Sequence, residues 1–90
     1  MQFEYDPNKS KSNKEKHGID FDEAQALWEN DTIKVPTYSG TDAERSLYIG
    51  KINDKTWTAI TTERDGNIRI ISVRRSRDYE REAYDERNGK

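Results

Sequence analysis

Apolar residues are sparse in the first eighteen positions and gather into short alternating runs in the second half of the chain. Three of those runs, RSLYIGKI (45–52), TWTAITTER (56–64) and NIRIISVR (67–74), carry the β-branched and aromatic content and two-residue period of strands. Asp65-Gly66 separates the last two, and that dipeptide predicts a hairpin with a type I′ turn. FEY (3–5) reads as a short first strand. Pro7 then suits the first position of a helix with Asp6 as N-cap, and Gly18 suits a left-handed C-terminal stop. This helix, NKSKSNKEKH, has almost no apolar face, which predicts a surface position. A second helix is expected after Asp20, with Glu23 as its capping-box partner and Phe21, Ala24, Leu27 and Trp28 on one stripe. Residues 29–44 are polar and irregular, with IKVPTY (33–38) as an edge strand, since Pro36 forbids a central one. Ser76 is expected to cap a last helix, SRDYEREAYDER, with Tyr79, Ala83 and Arg87 on one face and Glu80 and Tyr84 beside them. The order β-α-α-β-β-β-α predicts one α+β domain over residues 1–90, with helices packed on a small antiparallel sheet.

The register decides which side chains meet. A two-residue turn at 65–66 pairs Arg64 with Asn67, Ile60 with Ile71 and Trp57 with Arg74. A three-residue loop at 53–55 pairs Lys51 with Trp57. Lys51, Trp57 and Arg74 would then form one row on the exposed face, and Thr58, Ile60, Ile71 and Val73 would form the core face. The ordinary reading of such a row is a solvated sheet surface with a packed edge Trp. The alternative is an anion site that the strand ending in RRSR delivers, with Arg74 catalytic. Arg64 lies ~24 Å along the hairpin from Trp57, too far to share a phosphate with Arg74 but not too far to share an RNA strand.

Composition bounds these readings. Leu, Ile, Val and Phe supply 14 of the 90 residues, and 38% of the chain is charged, so the core must be thin. There is no cysteine, hence no disulfide and no thiolate metal site. No apolar run reaches membrane length, and the opening MQFEYDPNK lacks a signal-peptide core, so a cytoplasmic protein without membrane contact is expected. Charge is uneven. Residues 1–42 hold 5 Lys/Arg and 9 Asp/Glu, residues 43–77 hold 8 and 4, and residues 78–90 hold 3 and 5. The middle segment is therefore +4 within a chain of net charge -2, which suits a polyanionic partner. No HExxH, CxxC, GxSxG or glycine-rich phosphate loop is present, and Asp20, Asp22 and Glu23 read as helix-start residues, so neither metal nor cofactor is expected. His17, the single histidine, ends the first helix, where its cation would be favoured by the dipole.

Several segments together resemble the BrnT family of bacterial type II toxins. FEYDPNKSKSNKEKHGIDFDEAQALW is similar to the family opening, YIGKI to its next strand, and TERDGNIRIISVRRSRDYEREAY to its closing part, so the likeness runs from residue 3 to 87. Val73 stands where alanine is common, and the 36–44 loop has no clear counterpart. The resemblance implies the fold of RelE-type toxins, RNA cleavage that halts translation, and neutralisation by a ribbon-helix-helix antitoxin through which the complex reaches operator DNA. It also implies that the family's charged positions fall on Lys16, His17, Glu63, Arg64, Arg74 and Arg75.

RNA cleavage without a metal needs a base for the 2′-OH, cations for the phosphorane and an acid for the 5′-oxygen. The candidates are Lys51 as base, Arg74 and Arg75 as phosphorane cations, and Tyr84 or His17 as acid. Lys16, Glu63, Arg64 and Arg69 are expected along the RNA, and Trp57 is expected to stack an unpaired base. Two other functions fit the same resemblance. One is a toxin that binds and poisons an enzyme such as gyrase without cutting. The other is an inactive relative that survives through antitoxin binding and operon repression.

Overall fold

The computed structural model describes residues 2–37 and 45–88. Its elements are β1 (Gln2–Glu4), α1 (Pro7–His17), a 3₁₀ helix (Glu23–Glu29), β2 (Thr32–Thr37), β3 (Arg45–Ile52), β4 (Lys55–Arg64), β5 (Asn67–Arg75) and α2 (Asp78–Arg87). The five strands form one mixed sheet in the order β1-β5-β4-β3-β2. The α+β class is as expected, but the sheet is not wholly antiparallel. β1 runs parallel to β5, with Phe3 opposite Ile68. The edge strand foreseen around Pro36 is present as β2. The remainder of the irregular segment, from Tyr38 to Glu44, lies outside the described residues.

Local chemistry explains the ends of α1. The Asp6 carboxylate accepts from the Asn8 N–H at 2.8 Å, Pro7 fills the first turn, and Gly18 closes the helix at φ 83°. The Asp20–Glu23 box also forms, with the Asp20 N–H donating to Glu23 at 2.9 Å and the Glu23 N–H to Asp20 at 2.7 Å. The helix that this box opens is 3₁₀ rather than the expected α-helix. Phe21, Ala24 and Leu27 are buried as foreseen, and Trp28 packs between Phe3 and Tyr48.

Both hairpin turns are two-residue turns with positive φ. Asp65 (54°) and Gly66 (82°) form the foreseen one. Asn53 (53°) and Asp54 (68°) form the other, which pairs Ile52 with Lys55 rather than closing a three-residue loop. Arg64 pairs with Asn67 as expected, but a β-bulge then intervenes. Thr61 faces Ile70 and Ile60 faces Ser72, so Ile71 is the extra residue. Beyond the bulge Trp57 pairs with Arg75 and Thr58 with Arg74.

The corrected register reassigns the two faces. Tyr48, Trp57, Ala59, Ile68, Ile70 and Val73 lie on a core face, buried against Ile19, Phe21, Ala24 and Leu27. Thr58 is buried too, but on the other face beneath α2, while Ile60 and Ile71 are only half-buried. That second face holds Ile49 and Ile33, and Tyr84 of α2 covers them. α2 starts after Arg77, so Ser76 anchors rather than caps it. The Ser76 N–H donates to the Thr56 carbonyl at 3.0 Å, and the Ser76 and Thr58 hydroxyls lie 2.7 Å apart. The buried side of α2 carries Glu80 and Tyr84, and Tyr79 is 60% exposed.

α1 lies along the outer edge of β5, beyond the end of β1. Asn13 makes this possible. Its amide donates to the Val73 carbonyl at 2.9 Å and to the Ile19 carbonyl at 2.8 Å, and its oxygen accepts from the Val73 N–H at 3.2 Å. One buried side chain thus serves the strand edge that β1 leaves unpaired.

Candidate functional site

The expected row of Lys51, Trp57 and Arg74 does not exist. The observed rows are Gly50–Trp57–Arg75 on the core face, and Ile49–Thr58–Arg74 on the α2 face. Lys51 pairs with Thr56 on the α2 face, so it points away from Trp57 and Arg75. The turn at 53–54 shifts one pairing by a residue, and the Ile71 bulge shifts the other.

Arg74 is committed elsewhere. Its two terminal nitrogens donate to both oxygens of Glu80 at 2.8 and 2.9 Å. The Arg74 side chain is 20% exposed and that of Glu80 only 1%. Glu80 also accepts from the Thr58 hydroxyl at 2.9 Å and from the Arg77 N–H at 2.8 Å. Burial alone would raise its carboxyl pKa, but these donors, Arg74 foremost, hold it at about 2. The expectation that the Arg74 head lies on an exposed face is therefore corrected.

The other candidates scatter. Trp57 is 8% exposed, and the Arg75 guanidinium lies 5.5 Å from its ring centroid, so a cation already competes for the ring. Tyr84 is buried against Ile33 and Ile49, and its hydroxyl donates to the Asp31 carbonyl at 3.1 Å. Burial pushes its phenol above the usual range, which does not suit a ready proton donor. Glu63 lies on the core face. It accepts from the Tyr48 hydroxyl at 2.9 Å and pairs with Lys34 at 2.6 Å, and these contacts, the Lys34 ammonium first, lower its carboxyl pKa.

The fold does bring one group together, on the half of the α2 face that α2 leaves uncovered. Two rows cross it, Leu47–Ile60–Ser72 and Arg45–Thr62–Arg69, and by alternation Arg64 comes next at the turn. At the β5 side the last turn of α1 adds Lys16 and His17, which line a groove of about 200 Å³ with Ile71 and Ser72. The bulge helps to build this groove, because it sets Ile71 and Ser72 beside α1 without breaking the core face. Arg69 sits 3.7 Å from Glu4, with both side chains about a third or more exposed. Arg64, Lys16 and His17 are exposed. From Ser72 to Arg69 and on to Arg64 the track covers ~15–20 Å, the length of a few nucleotides. Lys51 lies ~14 Å along β3 from Leu47, with the α2-covered row between them, and does not belong to this group.

The sequence reading missed Arg45 and Ser72. Arg45 opens β3 and faces Thr62 once that hairpin is paired correctly, and Ser72 becomes visible only when the bulge is known. Among the described residues no cluster of His, Cys, Asp or Glu could hold a metal ion.

A family model described as ribonuclease toxin, BrnT, of type II toxin-antitoxin system matches residues 5–80. No curated protein and no solved structure matches the chain.

Proposed function

The chain belongs to the BrnT family of ribonuclease toxins of type II toxin–antitoxin systems, and from that premise we propose that it cuts single-stranded RNA on the uncovered half of the α2 face. That family supplies an RNA substrate and a cognate antitoxin. The observation that carries the location is the convergence of Arg45, Arg64, Arg69, Lys16 and His17 on one sheet face that α2 leaves open. The arginines suit successive phosphates, and the half-buried Leu47 and Ile60 between them suit the flat surface of an unstacked base. Duplex RNA would offer no such base.

The reaction in this proposal is attack of the 2′-OH on the adjacent phosphate, which requires RNA and spares DNA. Lys16 and His17 are the proton-transfer candidates, and Arg69 the nearest cation for the phosphorane. This revises the roles expected for Lys51, Tyr84, Arg74, Arg75, Trp57 and Glu63, whose positions do not converge with the track. The wider consequences belong to the same proposal: a RelE-like fold, inhibition of translation, a cytoplasmic setting, and a ribbon-helix-helix antitoxin that carries the complex to operator DNA.

The test uses purified protein and a labelled single-stranded RNA. His17→Ala should slow cleavage by ~10²-fold or more while RNA binding persists. Arg64→Ala and Arg69→Ala should each weaken binding across sequences and reduce its salt slope by about 1. Cleavage at the wild-type rate in all three variants would place the chemistry elsewhere. Binding without any cleavage in the wild type would favour the inactive relative.

A further inference from the structure

We propose that a groove on the core side of the sheet, beside the β3–β4 turn, anchors the cognate antitoxin by taking a bulky apolar side chain together with a neighbouring carboxylate. The groove has a volume of about 510 Å³ and an apolar floor of Ile19, Ile52 and Trp57. Its rim carries Lys55, and Arg75 lies over the adjoining indole. Both cations are exposed, and neither has an ion-pair partner among the described residues. The one acid on the rim, Glu23, is already paired with Lys14 at 2.8 Å, so it does not repel an incoming carboxylate. An apolar floor under two unpaired cations calls for an apolar anchor flanked by negative charge.

A protein segment fits this groove better than RNA does. Stacking a base needs a broad open ring face, and Trp57 is only 8% exposed with Arg75 5.5 Å from its centroid. The arginine track that suits phosphates lies on the opposite sheet face. The position also gives the anchor a purpose. Gly18 lines this groove, and the residues just before it, Lys16 and His17, line the groove on the other side of the α1 terminus. A partner seated here adjoins the α1 terminus that also borders the proposed cutting site, and can cover it. The anchor itself rests on the family's antitoxin partnership. Only its inhibitory reach rests on the proposed location of RNA cleavage.

The experiment compares wild type with Lys55→Glu/Arg75→Glu, using the purified cognate antitoxin as probe in calorimetric titration. The double variant should lose at least tenfold, and up to ~10³-fold, in antitoxin affinity. Its RNA cleavage without antitoxin should stay within about twofold of wild type, and an antitoxin whose anchoring acid is changed to Lys should regain affinity for it. Lys55→Glu alone, which leaves the Trp57–Arg75 contact in place, should show part of the loss and guards against a folding defect in the double variant. Equal antitoxin affinity for wild type and both variants overturns the proposal. Loss of RNA binding in the variants with antitoxin binding intact also overturns it and assigns the groove to RNA. A wild type that binds antitoxin but cuts no RNA sinks the cleavage proposal and leaves the anchor testable.

Discussion

Replacing Arg74 with alanine should unfold the protein more than it disarms it. The guanidinium supplies two of the four hydrogen bonds to the Glu80 carboxylate, which is 1% exposed. Against the upward push of burial, the Glu80 pKa falls from 4.5 to about 2 through Arg74 foremost, with the Arg77 N–H and the Thr58 hydroxyl, and ~1.4 kcal/mol per unit makes that ~3 kcal/mol of folded-state stabilisation from these donors together. Removing one partner of a buried pair costs ~3–5 kcal/mol by general experience. A domain of this size has ~5–15 kcal/mol in all, so the melting temperature should drop by ~12–24 °C. Arg74→Lys should recover only part of this, since an ammonium cannot serve both carboxylate oxygens in the same fork. The pair also sets an acid limit. Because the folded pKa lies below the unfolded one, its contribution is complete above about pH 4.5 and is lost as the pH falls towards 2. Glu80→Gln should flatten the loss of stability in that window. The assay is a thermal melt by circular dichroism at pH 7 and pH 3. An Arg74→Ala variant that melts within 2–3 °C of wild type at pH 7 would refute the structural assignment (the shift worked above is several times larger), and a loss of toxicity in such a folded variant would return Arg74 to catalysis.

Two further perturbations test the frame around the site. Asn13→Ala removes the side chain that serves both backbone groups of Val73, and should cost ~2–3 kcal/mol in urea unfolding because a buried N–H loses its partner. Gly50→Ala should cost more than Gly66→Ala. A Cβ at position 50 would meet Thr32 Oγ1, Leu27 Cδ2 and the Asp31 carbonyl at 3.0 to 3.3 Å, whereas position 66 has open space and bears only the ~1 kcal/mol penalty of its positive φ. The midpoints of the two urea curves decide the order.

Most of the elements were legible because their signals are local. Asp6, Pro7 and Gly18 bracket α1, and Asp65-Gly66 marks the last hairpin. The Asp20–Glu23 box forms as read, although the helix after it is 3₁₀, since the box fixes a start and says little about the next turn. The rows across the sheet were not legible in the same way. A register error of one residue moves a whole strand's side chains to the other face, and two such errors met at Trp57. Asn53-Asp54 is a weaker signal than Asp65-Gly66, but Asn and Asp both tolerate positive φ, and reading it as a two-residue turn would have removed Lys51 from the row. The first strand was foreseen at residues 3–5 and forms as β1, but three residues carry no signal for its parallel pairing with β5. Glu80 is the hardest case. A glutamate at the third position of a helix normally reads as a capping residue, and nothing local distinguishes one that is buried beneath the helix with an arginine from the neighbouring strand.

The bulge was legible in principle, and it settles how an acidic chain presents a basic face. Ile68 and Ile70 are both buried on the core face, and so is Val73. The step from 70 to 73 is odd, so an unbroken strand would send Val73 to the other side. Only an extra residue between them lets all three share one core, and Ile71 is that residue. The same shift of parity acts on the arginines. Arg69 and Arg74 are an odd number of residues apart, yet both fall on the α2 face, and Arg75 is turned to the core side. The strand that closes the core therefore splits its positive charge by position. Arg69 joins the open track, Arg74 goes under α2 to neutralise Glu80, and Arg75 goes to the groove behind. Two acids near the sheet are held in pairs, Glu63 by Lys34 on the core face and Glu23 by Lys14 at the rim of the core-side groove. Glu4 reaches the open track at its rim, 3.7 Å from Arg69. The net charge of the chain therefore says little about the field on this face, which is set by which residues the bulge leaves in register.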